Sequence, residues 1–364
     1  MGDEFVKRNP ADIRALRLSL AKARRKRQLF FGGSVVAATA AIALLFVVAQ
    51  RPGTNTRPVD VAEQPASSQT LRITSEITLD GQPFQVASNS EGAYVTLRDE
   101  GAVAKIDPEG KVQWIQTIGG APEDIIAGEF AVWVTEPEAR EIHALSFRRG
   151  VATQTPISVT KGIPQRLSVG ATSVRISTLD GPAYRINFDG REGQQLGSDT
   201  AWDIAYAAGR LWILTPEGLV YPIDAESGIP VEGFEPVSVF EAGEFELATA
   251  GEITAAHGGI WYGRPGDASL LRIDEGDGST EEIALPDSYL DLDGDSQGGL
   301  WILTSSGDAG ELIEVDDKTG ELLPRSIALH DAPVDIAASG DGVWIVLAGS
   351  HEVLHVNDAV EGTL

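Results

Sequence analysis

The 364-residue chain contains no cysteine. That excludes a disulfide framework, a thiolate metal site, a cysteine nucleophile and a lipoprotein anchor. Lysine is scarce, seven residues against twenty-one arginines, a bias that suits a GC-rich genome. The sequence also lacks a P-loop, and no catalytic residue is singled out. Basic charge is nearly confined to one end. Residues 1–28 hold nine Lys/Arg and three Asp/Glu, net +6, and the rest holds nineteen and fifty-one, net −32. So acidic a body disfavours nucleic-acid phosphates, whereas the basic tail favours an anionic surface.

Next to the basic tail stands "LFFGGSVVAATAAIALLFVVA", Leu29–Ala49, twenty-one residues without a charge. At 1.5 Å per residue it would cover about 30 Å of hydrocarbon. "RRKR", Arg24–Arg27, precedes it directly, and the side beyond turns acidic. The positive-inside rule then predicts a single-pass membrane protein: residues 1–28 a cytoplasmic tail, 29–49 a transmembrane helix, and the remainder extracellular. A cleaved signal peptide is the rival reading, since Val47-Val48-Ala49 offers small residues to a peptidase. The apolar run, however, exceeds the usual ~7–15-residue signal core. Ile13, Leu16 and Leu20 form one stripe at helical spacing in the tail, which suits the inner leaflet or a cytoplasmic partner. Residues 50–70, rich in Pro, Thr, Ser and Gln, read as a flexible linker.

Beyond the linker the chain repeats itself. Aligned on one aromatic per copy, the series is Tyr94, Trp133, Arg175, Trp212, Trp261, Trp301 and Trp344, with Arg175 degenerate. The intervals are 39, 42, 37, 49, 40 and 43 residues. A period near 42 is the length of one four-stranded propeller blade. Before each anchor comes a short alternating strand such as "PVDIA", and after it a strand, a turn, and a third strand ending in an Asp-rich turn such as "VDDKTGE". Asp suits the start of these turns, and Gly supplies the positive φ that they need. The last copy has no convincing fourth strand, whereas "LRITSEITL", Leu71–Leu79, looks like a spare one. Pairing the two would close a ring and remove the open sheet edge. The expected fold is therefore all-β, a seven-bladed β-propeller over residues 71–364, preceded by one transmembrane helix.

"VWVTE" at Val132–Glu136, the "P-x-D-I-A" opening of Pro333–Ala337 and the "V-D-x-x-T-G" turn of Val315–Gly320 resemble the propellers of the YVTN-repeat and virginiamycin B lyase-like superfamily. The resemblance covers residues 71–364. It implies the fold, and as an activity a channel-side histidine with carboxylates and a divalent metal. The chain's own histidines depart from that pattern. His143, His257, His330, His351 and His355 all fall in turns, loops or third strands rather than on the inner-strand alternation.

The inner strands do carry a ring of polar residues, one per copy: Gln85, Asp124, Arg166, Asp203, Glu252, Asp291 and Asp335. Arg166 stands between Asp124 and Asp203 in blade order, so these three are expected to form a bracketed ion pair in the channel. Glu252, Asp291 and Asp335 follow one another without a basic neighbour, with Asp293 close by, and form the candidate binding mouth. Such carboxylates would raise one another's pKa and favour a cation or a basic ligand, and oxygen-only donors suit Ca²⁺. Equally, each Asp could bond backbone N–H groups of the next inner strand and merely set blade spacing. "DLDGDSQGG", Asp291–Gly299, fails as an EF-hand loop, because Ser296 and Ile302 replace the required Gly and Glu. The aromatic anchors read as core packing. The reading is a binding, sensor or scaffold module for an extracytoplasmic protein or surface ligand, without nucleic acid. The alternative is a metal-dependent lyase or lactonase acting at the channel. Oligomeric state is not legible.

Overall fold

The computed structural model describes residues 70–358 apart from short stretches, chiefly 149–150, 171–172, 188–191, 241–250, 295–298, 307–308 and 317–318. The basic tail, the apolar run Leu29–Ala49 and the linker lie outside the described residues, as does His257. Among the described residues no helix is long and apolar enough to cross a membrane.

Seven four-stranded antiparallel sheets follow one another along the chain and form the seven blades of a propeller. The inner strands are Pro83–Asn89, Ile125–Ala127, Pro164–Val169, Asp203–Ala207, Glu252–Ala256, Ser288–Gly294 and Pro333–Ser339, in blades 1 to 7. Blade 7 takes its outermost strand from the start of the domain: Leu71–Thr78 pairs antiparallel with Glu352–Asp358, Leu71 opposite Asp358 and Thr78 opposite Glu352. The ring is thus closed by the segment that the sequence left unmatched. The turns follow the expected chemistry. In blade 4 the Asp224 carboxylate accepts the N–H groups of Glu226 and Ser227, and Gly228 ends the turn at φ 72°. Asp274 to Gly278 and Asp316 to Gly320 repeat the same five-residue closure.

Apolar side chains meet between blades rather than within one. Seven buried clusters occupy the seven seams, such as Trp212, Ile260 and Tyr262 between blades 4 and 5. A single blade could not bury these faces alone. Each anchor aromatic sits in the second strand of its blade and packs into the seam with the next blade; Trp212 and Trp261 are wholly buried. The degenerate anchor, Arg175, is 2% exposed and places its guanidinium 4.1 Å over the ring of Tyr206 on blade 4. A cation–π stack across the seam thus fills the slot that an aromatic anchor holds in the other blades.

Candidate functional site

The polar ring is positioned by a local irregularity of the inner strands. In blades 1 and 3 one extra residue is inserted where the ring residue stands, between Pro83 and Val86 and between Pro164 and Leu167. Blades 6 and 7 carry the same shift beside Asp291 and Asp335. Such bulges re-aim a side chain and interrupt the ladder. A buried hydroxyl of the second strand receives the N–H thus freed: Thr96 from Gln85 at 3.0 Å, Thr135 from Asp124 at 2.9 Å, Ser177 from Arg166 at 3.1 Å.

Four ring carboxylates then reach to the following blade. Asp335 accepts the Val86 N–H at 2.6 Å, Asp124 that of Leu167 at 2.6 Å, Asp203 that of Ile253 at 2.8 Å, and Asp291 that of Ile336 at 3.1 Å. In every case the donor follows the ring position of the next blade. Asp293 does the same two residues along, accepting from Ala338 at 2.9 Å. Charge-assisted bonds of this kind are about twice as strong as neutral ones, and they fix the spacing between inner strands.

Arg166 supplies the counter-charge, and one of its partners differs from expectation. Its guanidinium lies 3.3 Å from Asp124, as anticipated, but its second carboxylate, at 3.7 Å, is Glu252 of blade 5. The oxygens of Asp203 instead accept the N–H groups of Ile204 and Ile253, each at 2.8 Å. Glu252 also accepts the Tyr289 hydroxyl at 2.6 Å, so the mouth formed by Glu252, Asp291, Asp293 and Asp335 does contain a basic neighbour. Burial pulls the Arg166 pKa down, but Asp124, Asp203, Glu252 and Asp291 outweigh it and leave it raised. Burial pushes Asp203 up to about 7 despite Arg166 and its backbone donors. Asp335 is likewise pushed up to about 7 by burial, opposed by the Val86 N–H and by a hydrogen bond with the Asp291 carboxyl. The Asp291–Asp335 pair therefore holds a proton near neutrality.

These groups line a cavity of about 1000 Å³ along the axis, bounded by Gln85, Asp124, Arg166, Glu252, Asp291 and Asp335. A smaller space of about 270 Å³ adjoins it beside Asp203 and Tyr206. As a Ca²⁺ site the mouth is a poor fit. Ca²⁺ takes 6–8 oxygens, yet both oxygens of Asp291 and both of Asp293 accept backbone N–H groups. Glu252 is divided between a phenol and a guanidinium. The donor set suits a proton and a guanidinium better than a hard dication.

The described histidines lie away from the channel wall. His330 pairs with Glu352 at 2.8 Å on the surface, and His355 stacks on Trp344 with ring centroids 4.0 Å apart. His143 lies in the third strand of blade 2 beside Glu136 and Glu141. Reading along the chain passed over that trio, although "EPEAREIH" at Glu136–His143 contains it. Its signal is hairpin pairing, which sets Glu136 opposite Glu141 and places His143 on the same face.

No family profile matches the chain, and no curated protein does. Solved structures do. A streptogramin B lyase superposes with a TM-score of 0.60 at 15% identity, over 79% of this chain and 98% of the other. A catalytically inactive virginiamycin B lyase from Staphylococcus aureus, with quinupristin, gives 0.61 at 15%, over 80% and 100%. The WD40 β-propeller domain of Doa1 gives 0.60 at 10%, over 80% and 98%. These likenesses establish the seven-bladed propeller and extend to the fold alone.

Proposed function

We propose that the propeller is the binding module of a single-pass membrane protein. The Leu29–Ala49 anchor holds it outside the cell, and its channel mouth docks a basic group of an extracytoplasmic protein or surface ligand. One observation carries this reading. Six carboxylates, of Asp124, Glu129, Glu252, Asp291, Asp293 and Asp335, line a cavity of about 1000 Å³, and Arg166 is the single cation of the ring. The wall is held in place by the bonds between blades, so an entering cation meets a preorganised acidic surface. The net charge of −32 beyond residue 28 steers the same class of partner. The neighbouring propellers include both lyases and a WD40 domain, so fold alone favours neither chemistry nor binding.

The test is a titration of the full-length protein in detergent with an arginine-rich peptide, following thermal unfolding. Wild type is expected to be stabilised, and the double variant Asp291→Asn, Asp335→Asn to lose the response. Equal responses in both, or none in wild type, would remove the mouth from the proposal.

A further inference from the structure

The seam between blades 3 and 4 holds a charge where the other anchors are apolar. Six of the seven anchors are aromatic, and the seventh is Arg175. A buried ion pair is often no more stable than apolar side chains of similar volume, so packing alone does not call for a cation here. The second and third strands of blade 3, Ser173–Thr178 and Gly181–Asn187, set Arg175 directly opposite Arg185. Like charges in such a pair repel. Both guanidinium groups meet blade 4 at Glu226, which stands in the turn after the third strand of that blade, Leu219–Asp224.

Among the described residues, the carboxylate paired with either arginine is that of Glu226. It accepts a hydrogen bond from the Arg185 Nη1 but lies 3.9 Å from the Arg175 Nη2, beyond hydrogen-bond reach. Nε and Nη1 of Arg175 and Nε of Arg185 are buried without a hydrogen-bond partner. The Arg175 Nη1 rests against Gly170, where a Cβ would overlap it. Burial pulls the Arg175 pKa down, opposed by Tyr206 and Glu226 and reinforced by Arg185. One carboxylate thus answers two guanidinium charges and leaves three of their nitrogens unspent. The Glu226 side chain is 69% exposed, whereas its turn is held to blade 3. Gln194 donates to the Ser227 carbonyl at 2.7 Å, and the Gly197 N–H to that of Gly228 at 3.2 Å. The carboxylate can therefore swing out to solvent while the turn stays in place.

We propose that Arg175 and Arg185 bind a phosphate group, and that Glu226 is a tethered occupant which this ligand displaces. A phosphate ester carries about −1.5 to −2 at pH 7, which matches two guanidinium charges as a single carboxylate does not. Its oxygens accept from two arginine forks at once and relieve the repulsion across the strand pair. The ligand enters on the side that Glu226 covers, where Arg185 is 19% exposed. Neither arginine lines the axial cavity, nor does Glu226. The site is thus separate from the channel mouth and selects the opposite charge.

The test is a calorimetric titration of the full-length protein in detergent with inorganic phosphate, against sodium chloride at matched ionic strength, with thermal unfolding as a second readout. Wild type binds one equivalent of phosphate and gains thermal stability, and chloride gives neither effect. Glu226→Gln removes the charge of the tethered competitor and tightens phosphate binding at least about fivefold. Arg185→Gln abolishes binding and leaves phosphate-free melting close to wild type, because the pair it breaks is partly exposed. Arg175→Trp installs the aromatic anchor of the other blades, stays folded and also loses binding. The inference is overturned if wild type responds to phosphate no more than to chloride, if Arg185→Gln binds as wild type does, or if Glu226→Gln binds no tighter than wild type. Glycerol phosphate serves as a second probe: tighter binding than inorganic phosphate assigns the site to a phosphate ester, and weaker binding to the free ion. The channel double variant Asp291→Asn, Asp335→Asn keeps its phosphate affinity, so failure at one site is distinct from failure at the other.

Discussion

Replacing Asp335 by Asn isolates the proton held at the channel mouth. In the folded chain the Asp335 carboxyl is pushed up to about 7, from 3.8 in the unfolded one. Between those values the folded state holds a proton that the unfolded state has lost, so this group's stabilisation falls as pH rises and is gone above pH 7. Two pH units at about 1.36 kcal/mol each set an upper bound of about 2.7 kcal/mol between pH 5 and 7. Water in the channel screens part of the burial effect, which leaves ~1–2 kcal/mol. Asn copies the protonated acid in charge and shape, and its oxygen can accept the Val86 N–H as the carboxyl does. The advantage of Asp335→Asn over wild type should therefore grow by ~1–2 kcal/mol from pH 5 to pH 8. Asp203, also near 7 through burial, slopes the same way in both proteins. His143, held neutral by burial, slopes oppositely in both, since its stabilisation is lost as pH falls. Both cancel in the difference. The assay is urea denaturation followed by tryptophan fluorescence at four pH values. A difference that stays flat, or shrinks as pH rises, would refute the shared proton.

Arg166→Met removes the cation that Asp124 and Glu252 share. Breaking a buried pair costs about 3–5 kcal/mol, and the lower end is expected beside channel water; a loss below about 1 kcal/mol in urea denaturation would show that the cation is dispensable. Starting the chain at Ile77 removes most of the strand that closes blade 7, so the truncated protein should aggregate by size-exclusion chromatography, and a monomer of wild-type stability would contradict ring closure. Protease applied to intact cells should digest the propeller and spare the tail, and protection of the propeller would reverse the proposed orientation.

The blade count, the anchor positions and the closing strand were legible because repetition multiplies a weak signal. The spacing of seven anchors and one unmatched strand each point to the same ring. The ring residues were legible as positions but not as partners. Blade order suggested Asp203 for Arg166, whereas the guanidinium reaches past blade 4 to Glu252. That choice depends on which carboxylates are already occupied by backbone N–H groups, as those of Asp203 are, and residue type does not mark that occupancy. Arg175 looked degenerate in a row of aromatics, and its compensation, Tyr206, lies on another blade. The Glu136, Glu141 and His143 group was hidden for a related reason. Its members come together through hairpin register and burial in a seam, neither of which a scan for ligand spacing along the chain detects.

The claim that the acidic channel of an anchored propeller is a docking site is tested most directly by site-specific photocrosslinking in the native membrane. A crosslinker replaces Ser339 at the cavity wall, or Ile115, which is 51% exposed on the outer strand of blade 1. The account predicts a discrete adduct from the Ser339 position that an arginine-rich peptide competes away, and no such adduct from the Ile115 position. Adducts only from the Ile115 position, or a Ser339 adduct indifferent to the peptide, would contradict it.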